Sequence, residues 1–140
     1  MTDQTWRSVT LQRTGPGRFV ATNARGAAVA ISGQDPDTFS PVELLLAAIA
    51  GCTGLDVDAL TSRRAEPGSF ELRAGGDKLR DQDGNRMDQL EVVFRVRFPD
   101  GAAGDEARAV LPAAVKRSHD RLCTVTRTVE RATPVAYRIE

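Results

Sequence analysis

The spacing of apolar and polar positions changes period several times along the chain. Thr5 to Arg13 and Arg18 to Asn23 alternate apolar or β-branched residues with polar ones, and they flank the turn residues Thr14-Gly15-Pro16-Gly17. That pattern predicts a β-hairpin. Ala27 to Ile31, after Asn23-Ala24-Arg25-Gly26, predicts a third strand, and Gly33 to Thr38, rich in Asp, Pro and Gly, predicts a loop.

At Ser40 the period lengthens. Ser40 can cap a helix, Pro41 suits its first position, and Glu43 can return a hydrogen bond to the cap, so Ser40-Pro41-Val42-Glu43 marks a helix start. Every residue from Leu44 to Ala50 is apolar, whereas a surface helix carries polar residues once or twice per turn. The segment is therefore expected to be surrounded by protein, running to about Arg63 before Glu66-Pro67-Gly68 stops it. Gly51 and Gly54 bracket Cys52 and point to close approach by another backbone or a substrate.

Ser69 to Leu79 and Asp88 to Phe98 predict a long antiparallel hairpin turning at Asp81-Gln82-Asp83-Gly84-Asn85. In its second arm Leu90, Val92, Phe94, Val96 and Phe98 alternate against Glu91, Arg95 and Arg97, the signature of a strand buried on one face. After a loop at Asp100-Gly101-Ala102-Ala103-Gly104, a helix is expected from about Asp105 to Asp120, with Pro112 kinking it or marking its true beginning. Thr124 to Glu130 fits a strand by composition and a short helix by position, and Pro134 to Ile139 predicts a closing strand. The order of elements describes an α+β fold with antiparallel sheet, and 140 residues is a common size for one domain, here 1–140.

Charge removes some function classes. Lys plus Arg and Asp plus Glu both number 19, no block of like charge occurs, and nothing advertises nucleic acid or an anionic membrane surface. The first residues, Met-Thr-Asp-Gln-Thr-Trp-Arg, lack the apolar core of a secretory signal. The longest uncharged run, Leu44 to Leu55, falls short of the roughly 20 residues of a membrane-spanning helix. A soluble, cytoplasmic protein is expected.

A reducing cytoplasm argues against a permanent disulfide and for redox or catalytic thiols, and the chain has two cysteines, Cys52 and Cys123. With His119 they make three soft ligands, but no Cys-x-x-Cys or paired histidine spacing organises them, so no metal or other cofactor is expected. Cys52 on its apolar helix reads alone as a small core residue, and reactivity there requires a cation, a hydrogen bond or a helix end to stabilise the thiolate. Cys123, in the polar stretch Ser118-His119-Asp120-Arg121-Leu122-Cys123-Thr124, reads as the more exposed thiol, with His119 four residues earlier on one face if the helix continues. Glu43 is explained by the capping box and can also orient a cation, and Arg18, just after the turn glycines, can lean over a neighbouring site or simply be solvated.

Ser40-Pro41-Val42-Glu43-Leu44-Leu45-Leu46-Ala47-Ala48-Ile49-Ala50-Gly51-Cys52 resembles the first cysteine helix of the OsmC/Ohr family of thiol-dependent peroxidases. Leu122-Cys123-Thr124-Val125-Thr126-Arg127-Thr128-Val129 resembles its second cysteine segment. The resemblance covers essentially the whole chain. It implies an intertwined α+β homodimer, with strongly bent antiparallel sheets around two long central helices and sites at the subunit interface. It further implies that Cys52 attacks an organic hydroperoxide, that Cys123 resolves the product as a disulfide, and that an external dithiol of lipoyl type restores both thiols. The supporting arginine and glutamate would be Arg18 and Glu43, each displaced from the place they take in the organic-hydroperoxide branch. Val42 and Gly15 stand there instead, which brings the chain closer to the general OsmC-like branch. A module that binds a small apolar ligand without catalysis is the competing expectation.

Overall fold

The computed structural model describes residues 5–140. Their contacts group into two compact units, Met1–Leu45 and Leu46–Glu140, with the divide falling inside the first helix.

The first unit is a three-stranded antiparallel sheet, β1 (Thr10–Gly15), β2 (Arg18–Thr22) and β3 (Ala28–Ser32), in the order β1-β2-β3. β1 and β2 form the expected hairpin, Leu11 opposite Ala21 and Arg13 opposite Phe19, with an irregularity between Arg13 and Gly15 at the turn. The strand begins at Thr10, not Thr5, so the expected strand is five residues too long at its start. Arg18 on β2 faces Ser32 on β3, and Asp35 lies three residues beyond that partner. The Ser32 hydroxyl accepts hydrogen bonds from the amides of Gln34 and Asp35, folding the loop so that the Asp35 carboxylate pairs with the Arg18 guanidinium.

α1 (Pro41–Thr61) starts as the sequence dictates. The amide of Ser40 donates to Glu43 Oε1 at 2.9 Å and the amide of Glu43 donates to Ser40 Oγ at 3.2 Å, a complete capping box.

The second unit contains the rest of α1, the hairpin of β4 (Ser69–Asp81) and β5 (Gly84–Arg97), α2 (Ala102–Arg117) and α3 (Thr124–Glu130). Phe94 opposes Leu72 in the hairpin, and its ring meets that of Phe70 edge-on with centroids 6.4 Å apart. The predicted one-face pattern holds from Glu91 onward: Val92, Phe94 and Val96 are half-buried and Phe98 is buried, while Glu91, Arg95 and Arg97 are exposed; Leu90, expected on the buried face, is exposed. Gly54 of α1 is packed over Leu72, whose Cδ1 would lie 3.2 Å from a Cβ added there, whereas Gly51 faces open space. Close approach therefore explains only one of the two glycines.

α2 begins at Ala102, inside the stretch expected to be a loop, and runs through Pro112. Gly104 makes this early start feasible, because a Cβ there would fall 1.7 Å from the carbonyl oxygen of Pro99. A π-helical turn, Ser118–Leu122, follows α2, closed by the Cys123 amide donating to the Ser118 carbonyl at 2.8 Å. Thr124 to Glu130 is a helix, α3, so position along the chain outweighed β-branched composition there.

One expectation needs correction. Pro134 to Ile139 forms no strand: a strand needs an edge to pair with, and Val135, Tyr137 and Ile139 are 75%, 92% and 99% exposed. α1 is not enclosed within the single chain, since only Ile49, Thr53, Gly54, Val57 and Thr61 are buried and Leu55 is 74% exposed. The described elements of one chain are too few to wrap an apolar rod on all sides. α1 also meets, by length and composition alone, the measure of a membrane-crossing helix. Its half-buried Asp56 accepts a hydrogen bond from buried Ser118, and Thr53 and Thr61 are buried as well, so the helix is packed as a protein element.

Candidate functional site

Two turns of α1 and the junction between α2 and α3 build the site. Cys52, Thr53 and Asp56 lie on consecutive turns of α1, with Asp56 four residues after Cys52 and so on the same face. Opposite them, the π-turn adds one residue to the helical repeat and ends at Cys123, whose extended backbone (φ −73°, ψ 99°) breaks the helix and restarts it as α3. Cys123 takes the capping position that Ser or Asp would ordinarily fill, its sulfur accepting from the Thr126 amide at 3.4 Å and donating to Thr126 Oγ1 at 3.2 Å.

The two sulfurs and a carboxylate oxygen of Asp56 all lie within 4.8 Å of one another. Both thiols are free. Their exposure reverses the expectation, with Cys123 fully buried and Cys52 half-buried: the π-turn buries Ser118 and Cys123 at its two ends while His119, Asp120, Arg121 and Leu122 between them stay exposed.

Burial pushes the Cys52 thiol above its ordinary value of 9.0. The amides of Val125 and, more weakly, Thr124 pull the other way, while the Cys123 sulfur adds to the rise. A negative charge on Cys52 is thus met by backbone N–H groups, and among the described residues no cationic side chain figures in its shift.

Behind the sulfurs runs a chain of hydroxyls. Ser118, fully buried, donates to Asp56 Oδ2 at 2.9 Å, and its Oγ lies 2.7 Å from buried Thr53 Oγ1. With Ser118 committed to Asp56, Thr53 is the donor in the second bond. The chain locks Asp56 toward the thiols and ties α1 to the π-turn.

His119 takes no part in this arrangement. A continuous helix would stack it on Cys123, but its Nδ1 lies 2.8 Å from Asp120 and its Nε2 3.0 Å from Glu130. Hydrogen bonding to Asp120, then to Glu130, raises its pKa above the ordinary 6.5. It borders a cavity of about 300 Å³ with walls of Ile49, Val92, Phe94, Val115 and Val129. Thr53 and Thr126 also line that cavity, whereas neither cysteine does.

Of the four residues singled out from sequence, Cys52 and Cys123 are brought together, and Glu43 and Arg18 each have a local partner in the first unit. Glu43 is held by Ser40 and Arg18 by Asp35. Sequence reading missed Asp56, Ser118 and Thr53. The spacing of Cys52 and Asp56 was a usable signal for the first, and Ser118 had none, because its role depends on the π-turn.

The sequence profile of the OsmC-like protein family matches residues 33–138. The chain belongs to the OsmC-like family. Within it, an uncharacterized protein of Mycobacterium tuberculosis is 32% identical over 131 residues, covering 92% of this chain and 93% of that one. An OsmC-like protein of unknown function from Vibrio cholerae shares the fold, with a TM-score of 0.74 at 15% identity over 91% of this chain and 95% of that one. The organic hydroperoxide resistance protein OhrB of Bacillus subtilis shares it more loosely, with a TM-score of 0.58 at 17% identity over 90% and 92% of the two chains. The α+β architecture with antiparallel sheets and three helices is thus the OsmC-like one.

Proposed function

We propose that the chain is a two-cysteine thiol peroxidase that reduces organic hydroperoxides in oxidative-stress defence. One observation carries this reading: a half-buried thiol lies within 4.8 Å of a second, fully buried one. Cys52, the accessible sulfur, is the nucleophile. Its thiolate attacks the distal peroxide oxygen, the O–O bond breaks, the alcohol departs with a proton, and Cys52 is left as a sulfenic acid. Cys123 then displaces water from that sulfur, and the sulfurs close from within 4.8 Å to a bond of about 2 Å by side-chain rotation. An external dithiol of lipoyl type returns both thiols by exchange. A reducing compartment, the cytoplasm, suits such a cycle.

Arg18 and Glu43 enter this reading through the family resemblance alone, as charges whose part in turnover is decided by substitution. Full turnover by both Arg18→Ala and Glu43→Gln variants would remove them from it. The exposed apolar face of α1 supports a homodimer in which a second copy covers Leu55.

Purified protein should consume cumene hydroperoxide with a dithiol, and Cys52→Ser should abolish turnover. Mass spectrometry after one equivalent of peroxide should find a Cys52–Cys123 bridge. Finding neither the bridge nor oxygen on Cys52 would sink the proposal.

The apolar cavity supports a second reading, a module that binds a small apolar ligand without chemistry, because neither cysteine lines it. Ligand retention by the double Cys→Ser variant, with no peroxide consumption by the unmodified chain, would select that reading.

A further inference from the structure

The donor set around Cys52 is more than a dithiol. Two sulfurs and a carboxylate oxygen converge within 4.8 Å, from α1 on one side and the α2–α3 junction on the other. Around a tetrahedral zinc ion, sulfur ligands at about 2.3 Å stand roughly 3.8 Å apart, so closure asks for at most about 1 Å of side-chain movement.

Each donor is also oriented from behind. Ser118 Oγ holds Asp56 Oδ2 at 2.9 Å, which fixes the carboxylate. The Thr126 amide points at the Cys123 sulfur, and the amides of Thr124 and Val125 lie against that of Cys52. Hydrogen bonds of this kind to ligand atoms fix a site in advance and accept the charge that thiolates bring to a metal. Cys123 and Ser118 are fully buried while Cys52 and Asp56 are half-buried, so the site is closed on one side and open to a fourth ligand on the other.

We propose that the reduced chain binds one borderline-soft divalent cation, of the Zn²⁺ class, through Cys52 Sγ, Cys123 Sγ and a carboxylate oxygen of Asp56, with water as fourth ligand. Two thiolates with one carboxylate favour Zn²⁺ over Mg²⁺ and Ca²⁺, which take all-oxygen shells. The bound cation holds both thiolates and so slows them as nucleophiles, though a thiolate that leaves it still attacks a peroxide. A hydroperoxide reverses this: two thiolates lose two electrons to become the disulfide, ROOH and two protons become ROH and water, and the cation leaves. This release step rests on the peroxidase reading; the binding step does not.

The test uses the full chain, reduced with a phosphine so that no added thiol competes for metal. Zn²⁺ is titrated against a chromophoric chelator, and Co²⁺ replaces it as an optical probe. One equivalent should bind per chain, with a thiolate-to-cobalt charge-transfer band in the near ultraviolet. Asp56→Asn should weaken binding by about tenfold or more, Asp56→His should restore it, and the disulfide form should take up none. If Asp56→Asn does not fold, by circular dichroism, Asp56→His decides, with tight uptake supporting the site and lost uptake overturning it. Uptake no greater than that of the Cys52→Ser/Cys123→Ser double variant overturns the proposal, as does affinity that ignores Asp56. Hydroperoxide consumption by metal-free protein is measured separately, so that failure of the peroxidase reading leaves the binding result intact.

Discussion

Ser118 is fully buried between two polar groups, Thr53 and Asp56. Removing its hydroxyl leaves a buried donor and a half-buried carboxylate without their partner, so Ser118→Ala should destabilise the chain by about 2 kcal/mol in urea denaturation. The same change frees Asp56 to turn from the sulfurs. Nothing in the stretch Arg117-Ser118-His119 announces this role, because it comes from a backbone irregularity that no residue pattern encodes. Cys52 was legible through its motif, but its surroundings were not. Since burial raises its pKa above the ordinary 9.0, the thiolate fraction stays small at neutral pH and grows as pH rises. Alkylation of Cys52 by iodoacetamide in metal-free Cys123→Ser protein should accordingly keep accelerating from pH 7 to beyond 9, and a plateau below pH 8 would show that a cation stabilises the thiolate.

At the scale of elements, boundaries written in local chemistry were readable and those set by tertiary packing were not. The α1 start follows from Ser40, Pro41 and Glu43 alone, and the β4–β5 hairpin from alternation and turn residues. The α2 start hides in a glycine that reads as a loop breaker. Gly104 is there because the Pro99 carbonyl occupies the space of a side chain, so Gly104→Ala should cost about 3 kcal/mol or more and lower the melting temperature sharply. α3 is joined to the π-turn by His119 and Glu130. The folded-state pKa of His119 is raised, so its stabilising charge is fully present below pH 6.5 and fades as pH climbs through the raised value. The difference in melting temperature between unmodified protein and a His119→Gln variant should therefore shrink from pH 6 to pH 9. A difference that grew instead would mean that the neutral imidazole, not the charged one, holds α3.

For the whole molecule, the apolar pattern of α1 predicted enclosure, and the single chain leaves that pattern largely uncovered. The sequence was not misread in kind; a pattern can state that a surface wants covering without stating which chain supplies the cover. If a second copy does so, Leu55→Glu should convert the protein to monomer in light scattering at micromolar concentration, and unchanged mass would exclude this face from the contact. The segment 134–140 makes a related demand in backbone terms. Val135, Tyr137 and Ile139 alternate along a segment that pairs with no strand among the described residues, and they are largely exposed. A ribbon in that condition is adhesive and indiscriminate: whichever exposed sheet edge reaches it first can zip onto it. Concentrated or lightly destabilised preparations should consequently clump sooner than dilute ones, and trimming those seven residues should trade that stickiness for a cleaner solution.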